Sequence, residues 1–279
     1  MGYDATFLGP EVPLPVPVQE VRELPSTHFT VLLDPVRRLA AATAVNIDGG
    51  ALVDVPRGDD WYLDPRVPTD EQCGNELYAR NDLDRGHLVR RRDPVWGAPG
   101  VAAQANRETF AYPNAAPQAS GFNQSKELWL GLEDHVLEHA HAQRLRLSVL
   151  TGPVRAGDDP VYRGIAIPRR FWKVAAWALD GGRRLAAAAF VLDQTPLLHA
   201  TELAARTHAA AEAGDPPPLG PFRTYQVPVV DVADLTGLDL GPLPAADVLG
   251  VTEPQALAWR RIEELTDVDL GDPPPEDQF

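Results

Sequence analysis

Asp84-Arg85-Gly86-His87-Leu88-Val89-Arg90-Arg91-Arg92-Asp93 is the stretch on which the reading of this chain turns, and two others follow it in order. The second is Asn114-Ala115-Ala116-Pro117-Gln118, and the third runs Gly121-Phe122-Asn123-Gln124-Ser125-Lys126-Glu127-Leu128-Trp129-Leu130-Gly131-Leu132-Glu133. Chemically, an imidazole lies among guanidinium groups, next comes a segment rich in amide oxygens, and then a helix that begins beside an asparagine. Hydrolysis of a phosphodiester asks for those parts: a base for water, cations for the phosphate and a hard-oxygen ligand for a divalent ion.

Around these motifs, Leu83 to Val89 reads as an extended segment that carries His87. The alternation of Phe110 and Tyr112 makes Glu108 to Tyr112 its expected partner strand, with Asp93 to Asn106 as a long connection. Beyond Asn123 the apolar residues Leu128, Leu132 and Val136 recur at helical spacing through Ala142. Strand, strand, helix is the expected order. Upstream, Thr30 to Leu33 and Leu39 to Ile47 flank Asp34-Pro35 as a hairpin. Downstream, strands are expected at 146–152, 165–167, 171–179, 184–192 and 222–230, with Asp180-Gly181-Gly182 as a hairpin turn. Val232 to Gly237 reads as a short helix stopped by glycine, Thr201 to Ala213 as an Ala-rich helical segment and Glu253 to Leu265 as a final helix.

The three motifs in this order, with Arg57 upstream of Trp61-x-x-Asp64-Pro65, resemble the DNA/RNA non-specific endonucleases, the sugar-non-specific branch of the ββα-metal nucleases. The likeness continues through Ile167-Pro168-x-x-Phe171-Trp172-Lys173 and Phe222-Arg223-Thr224-Tyr225, and spans roughly Thr27 to Asp247. It implies an α+β fold: a central, mostly antiparallel sheet flanked by helices, with a ββα-metal active site. An extended arm would occupy 1–26, the nuclease domain 27–266 and an acidic, Pro-rich tail 267–279.

The resemblance also implies roles. His87 would be the general base and Asn123 the ligand of Mg²⁺, with Mn²⁺ or another divalent cation as a substitute. Glu133 would hold a metal-bound water, Asn114 would support the site by hydrogen bonding, and Arg57 and Arg85 would grip the phosphate. Arg90, Arg91, Arg92 and Lys126 are the expected contacts to nucleic acid. Both DNA and RNA would be cut to 5′-phosphate ends. Taken singly, the residues allow plainer readings: an asparagine before a helix is a common N-cap, and three successive arginines are often a solvated face. The spacing between Asn123 and Trp129 is longer than the family pattern.

Composition limits the alternatives. With 44% hydrophobic residues among 279, the chain can bury a sizeable core. Its net charge of −15 excludes a protein that coats nucleic acid, but a nuclease needs only a local cationic groove, and Arg80, Arg85, Arg90, Arg91, Arg92 and Arg107 gather near the motif. A single cysteine, Cys73, precludes an internal disulfide. With no signal-like N-terminus and no apolar run long enough to span a bilayer, the expectation is a cytoplasmic protein without membrane attachment. The resemblance further implies homodimerisation, and a non-specific nuclease inside a cell implies restraint by an inhibitor or immunity protein. Two rival functions are carried forward. One is a catalytically degenerate nuclease fold acting as a binding module. The other is a zinc protease built on His135, Glu138 and His139, which fit H-x-x-E-H.

Overall fold

A computed structural model describes residues 2–119, 144–195, 198, 223–251, 259–262 and 267–270. In chain order the strands are β1 (Arg22–Ser26), β2 (Phe29–Asp34), β3 (Leu39–Asp48), β4 (Leu83–His87), β5 (Ala115–Ala119), β6 (Arg146–Val154), β7 (Val161–Tyr162), β8 (Ile165–Ala166), β9 (Arg170–Leu179), β10 (Arg184–Asp193), β11 (Arg223–Val227) and β12 (Arg260–Ile262). Helices are α1 (Asn75–Tyr78), α2 (Pro99–Glu108) and α3 (Val229–Thr236). Eight strands form one antiparallel sheet in the order β1-β2-β3-β6-β9-β10-β11-β12. Spatial order therefore follows chain order, and the pairs β4-β5 and β7-β8 stand outside as two-stranded ribbons. The α+β reading holds, with helices fewer than expected among the described residues.

Both faces of the sheet are covered, which explains strands with unbroken apolar runs rather than clean alternation. One face buries Phe29, Val31, Ile47, Phe171, Phe190 and Leu192 against Leu77, Leu83, Leu88 and Tyr112 from the motif region. The opposite face buries Leu32, Leu150, Trp172, Val174 and Val191 under Leu8 and Val12 of the N-terminal segment and under Val229 and Val232 of α3. Each such fully buried side chain contributes about 1.5–3 kcal/mol. Helix α3 ends at Gly237, whose φ of 67° is the left-handed conformation that glycine adopts without strain.

The motif region enters as one excursion. Asp48 of β3 pairs directly with Arg146 of β6, and Gly49 N–H donates to Leu145 O at 2.9 Å, so residues 49–145 leave and rejoin the sheet at adjacent points.

Four expectations need correcting. The partner of the His87 strand is β5, with His87 opposite Ala115 and Leu83 opposite Ala119, and not Glu108 to Tyr112. The connection at 93–106 contains α2, which starts with proline in its first turn, a position where the missing N–H costs nothing. The N-terminal arm is more than a surface wrap: Val12 is fully buried, and residues 22–26 are strand β1, paired from Arg22↔Leu33 to Ser26↔Phe29. Finally, 260–262 form β12 against β11 where a helix was expected, because Ile262 turns into the core and Arg260 and Arg261 stay exposed. The expected helices at 128–142 and 201–213 lie outside the described residues.

Candidate active site

The β4-β5 ribbon carries His87 and Arg85 on one face, two positions apart. Gly86 between them points the other way. A Cβ there would fall 2.0 Å from Gln118 Oε1 and 2.6 Å from its Cγ, so the buried Gln118 side chain occupies the space that any larger residue would need. This gives the motif glycine a packing reason rather than a conformational one.

After His87 the chain turns, and Asn114 fixes the turn. Its side-chain oxygen accepts from Val89 N–H at 2.8 Å, and its amide nitrogen donates to Val89 O and Thr109 O, both at 2.9 Å. Leu88 N–H also donates to Asn114 O. Asn114 is fully buried. With its amide bonded to backbone groups on both sides of the turn, it holds the site's shape.

Rings enclose His87. Trp61 lies 4.7 Å from the imidazole centroid, tilted by 51°, and Phe110 meets it edge-on at 5.1 Å. Trp61 also contacts Phe110 at 5.4 Å and Tyr112 at 5.8 Å. The Nε2 atom of His87 is buried with no hydrogen-bond partner among the described residues. Burial first, and then the positive charges of Arg57 and Arg91, push its pKa down to about 3. Arg85 lays its guanidinium over the Trp61 ring, 5.7 Å from its centroid.

The cations gather by a definite device. Arg91 Nη1 donates to Val55 O and to Asn106 Oδ1, each at 3.0 Å, and so ties the segment before Arg57 to the segment after His87. Arg91 is half-buried, and its pKa is lowered by burial and by neighbouring Arg57, Arg92 and Arg90. A wholly solvated face at 90–92 is therefore incorrect for Arg91, although Arg92 is exposed. Arg57, thirty residues from His87 in sequence, is exposed, yet its charge lies near enough to lower the imidazole's pKa.

Further along, β5 is locked to the main sheet by Gln194, which is fully buried. Its side chain accepts from Ala119 N–H at 3.0 Å and donates to Pro168 O at 2.6 Å and Pro117 O at 3.3 Å. Neither this glutamine nor the roles of Trp61, Phe110, Asn106 and Gln118 were evident beforehand. For Trp61 and Gln118 the signal was their place within the motifs; Asn106 and Gln194 had none.

Asn123, Lys126 and Glu133 lie outside the described residues, as do His135, Glu138 and His139. Among the described residues no group of three or more His, Cys, Asp or Glu side chains could hold a metal ion. Around His87 stand rings and guanidinium groups, and the nearby amide of Asn114 is spent on backbone bonds. Among the described residues no helix is long and apolar enough to cross a membrane.

The sequence profile of the DNA/RNA non-specific endonucleases matches residues 11–247. The chain belongs to this family. A protein of Sinorhizobium fredii (strain NBRC 101917 / NGR234), the uncharacterized protein y4fB, is 39% identical over 265 residues. That alignment takes in 85% of this chain and 38% of the relative, so this chain spans well under half of y4fB. Among solved structures, the crystal structure of the EndoG/EndoGI complex, described as showing the mechanism of EndoG inhibition, matches with a TM-score of 0.57. It covers 80% of this chain and 85% of that one at 21% identity, a likeness of fold.

Proposed function

We propose that the protein cuts DNA and RNA with little regard for sequence, leaving 5′-phosphate ends, with His87 as general base. The observation that carries this reading is the gathering of Arg57, Arg85 and Arg91 around the ring-lined imidazole of His87, which burial and neighbouring charge keep neutral. Such an imidazole is unprotonated throughout the neutral range and so free to accept a proton from water as the water attacks phosphorus. Arg57 and Arg85 hold the phosphate oxygens, and Arg57, exposed and permanently charged, suits the charge that develops as the 3′ oxygen leaves. Contacts of this kind go to the backbone and explain indifference to sequence.

Among the described residues no group of three or more His, Cys, Asp or Glu side chains could hold a metal ion, and the family resemblance assigns the ligand to Asn123. The segment after β5, which holds Asn123, is therefore our proposed source of the metal ligand, with Glu133 beside it. A divalent cation, Mg²⁺ or Mn²⁺, would neutralise phosphate charge when held there. A non-specific nuclease active inside a cell needs restraint, so we also propose an inhibitor protein as partner.

Plasmid nicking with Mg²⁺ and with EDTA tests the reading directly. His87→Ala should retain DNA binding and lose cleavage by about a hundred- to ten-thousandfold, the usual contribution of a positioned base. Normal cleavage by that variant removes His87 from the mechanism. DNA bound but uncut by the wild type in Mg²⁺ leaves a binding module instead.

A further inference from the structure

Trp61 touches both groups that the proposed chemistry places on β4, and reaches them from a different part of the chain. Arg85 and His87 stand on one face of β4, roughly 7 Å apart along the strand. The indole lies 4.7 Å from the His87 ring and also carries the Arg85 guanidinium 5.7 Å from its centre. Phe110 braces two of the three, at 5.4 Å from Trp61 and 5.1 Å from His87.

The indole itself is well anchored. Tyr62, the next residue, bridges to Ala111: its N–H donates to Phe110 O at 3.1 Å, and Tyr112 N–H donates to Tyr62 O at 2.9 Å. That backbone is thus fixed to the segment supplying Phe110 and Tyr112. An arginine side chain has many rotamers, and an aromatic face under its guanidinium removes most of them.

We propose that Trp61 is a positioning residue, a single indole on which both the imidazole of His87 and the guanidinium of Arg85 are seated, so that base and phosphate clamp keep a fixed separation. The inference rests on the nuclease reading of those two residues. Trp61 acts through them and need not touch the substrate.

The test is a double-mutant cycle on the full chain. Affinity for fluorescein-labelled DNA is measured in EDTA by anisotropy, and kcat in Mg²⁺, for the wild type, Trp61→Leu, Arg85→Ala and the double variant. Trp61→Leu should weaken DNA binding about tenfold when Arg85 is present and less than twofold when it is not, the scale of a lost cation–π contact. Its kcat should also fall, with Trp61→Phe restoring part of the loss. Equal weakening in both backgrounds overturns the proposal, since it means general packing or a direct contact between the indole and DNA. If circular dichroism shows Trp61→Leu to be unfolded, Trp61→Phe takes its place in the cycle. A wild type that binds DNA but leaves it uncut refutes the nuclease reading, while the binding cycle still decides the role of Trp61. A wild type that binds no DNA refutes both.

Discussion

His87 carries a cost that ought to be measurable without any substrate. An ordinary histidine titrates near 6.5, whereas here the pKa is pushed down to about 3. Above pH 6.5 the ring is neutral both folded and unfolded, and it contributes nothing to the pH dependence. Below 6.5 the unfolded chain takes up a proton that the folded protein refuses, so stability falls as the pH drops toward 3. His87→Gln removes this term. Between pH 7.5 and 5 the wild type should lose roughly 1–2 kcal/mol more than the variant, read from urea midpoints at the two pH values. His28, whose pKa is also lowered by burial, is common to both proteins, which is why the comparison is a difference. Identical pH profiles would show that the imidazole is not held neutral.

At the scale of elements, the β4-β5 ribbon depends on a side chain lying where another residue would carry its Cβ. Gly86→Ala brings a carbon to 2.0 Å from Gln118 Oε1, and Gln118 is too buried to swing aside freely. The expected cost is about 1–3 kcal/mol, as for other overpacked sites. Gln118→Ala added to Gly86→Ala should recover part of it, seen as a partial return of the thermal midpoint. No recovery would mean that the glycine is needed for some other reason.

This ribbon also shows what the sequence made legible. Strand β4 could be read because the Asp-Arg-Gly-His motif lies between Leu83 and Leu88-Val89, which frame an extended segment. Its partner could not: Ala115-Ala116-Pro117 lacks β-branched residues, while Phe110 and Tyr112 alternate like a strand. Those rings alternate because they pack around Trp61 and His87, in a segment that is largely turn. Helix α2 was hidden by Pro99-Gly100, which read as loop although proline is welcome in a first turn. The tether from Arg91 to Val55 joins residues 36 apart, and no local pattern announces such a contact.

For the molecule as a whole, the net charge of −15 repels nucleic acid at long range, and attraction is left to a few arginines around His87. Few phosphates are then neutralised on binding. A plot of log affinity against log salt should have a slope of about −2 to −4, corresponding to two to four phosphate contacts. A slope near −8 would point to a broad cationic surface, and one near zero to recognition without phosphate contacts. Substituting Arg57 should flatten the slope by about one.

Because residues 49–145 depart and return between paired neighbours, Asp48 and Arg146, the meander could close on itself with a tight turn in their place. The strand pairing of the sheet is thus independent of the excursion, while the core is shared, since Leu77, Leu83, Leu88 and Tyr112 cover one sheet face. Amide exchange in Leu83–His87 can therefore run ahead of exchange in β6 and β9 without global unfolding. Inserted or deleted residues within the excursion need not alter the pairing of the strands it interrupts, provided the side chains that cover the sheet are kept.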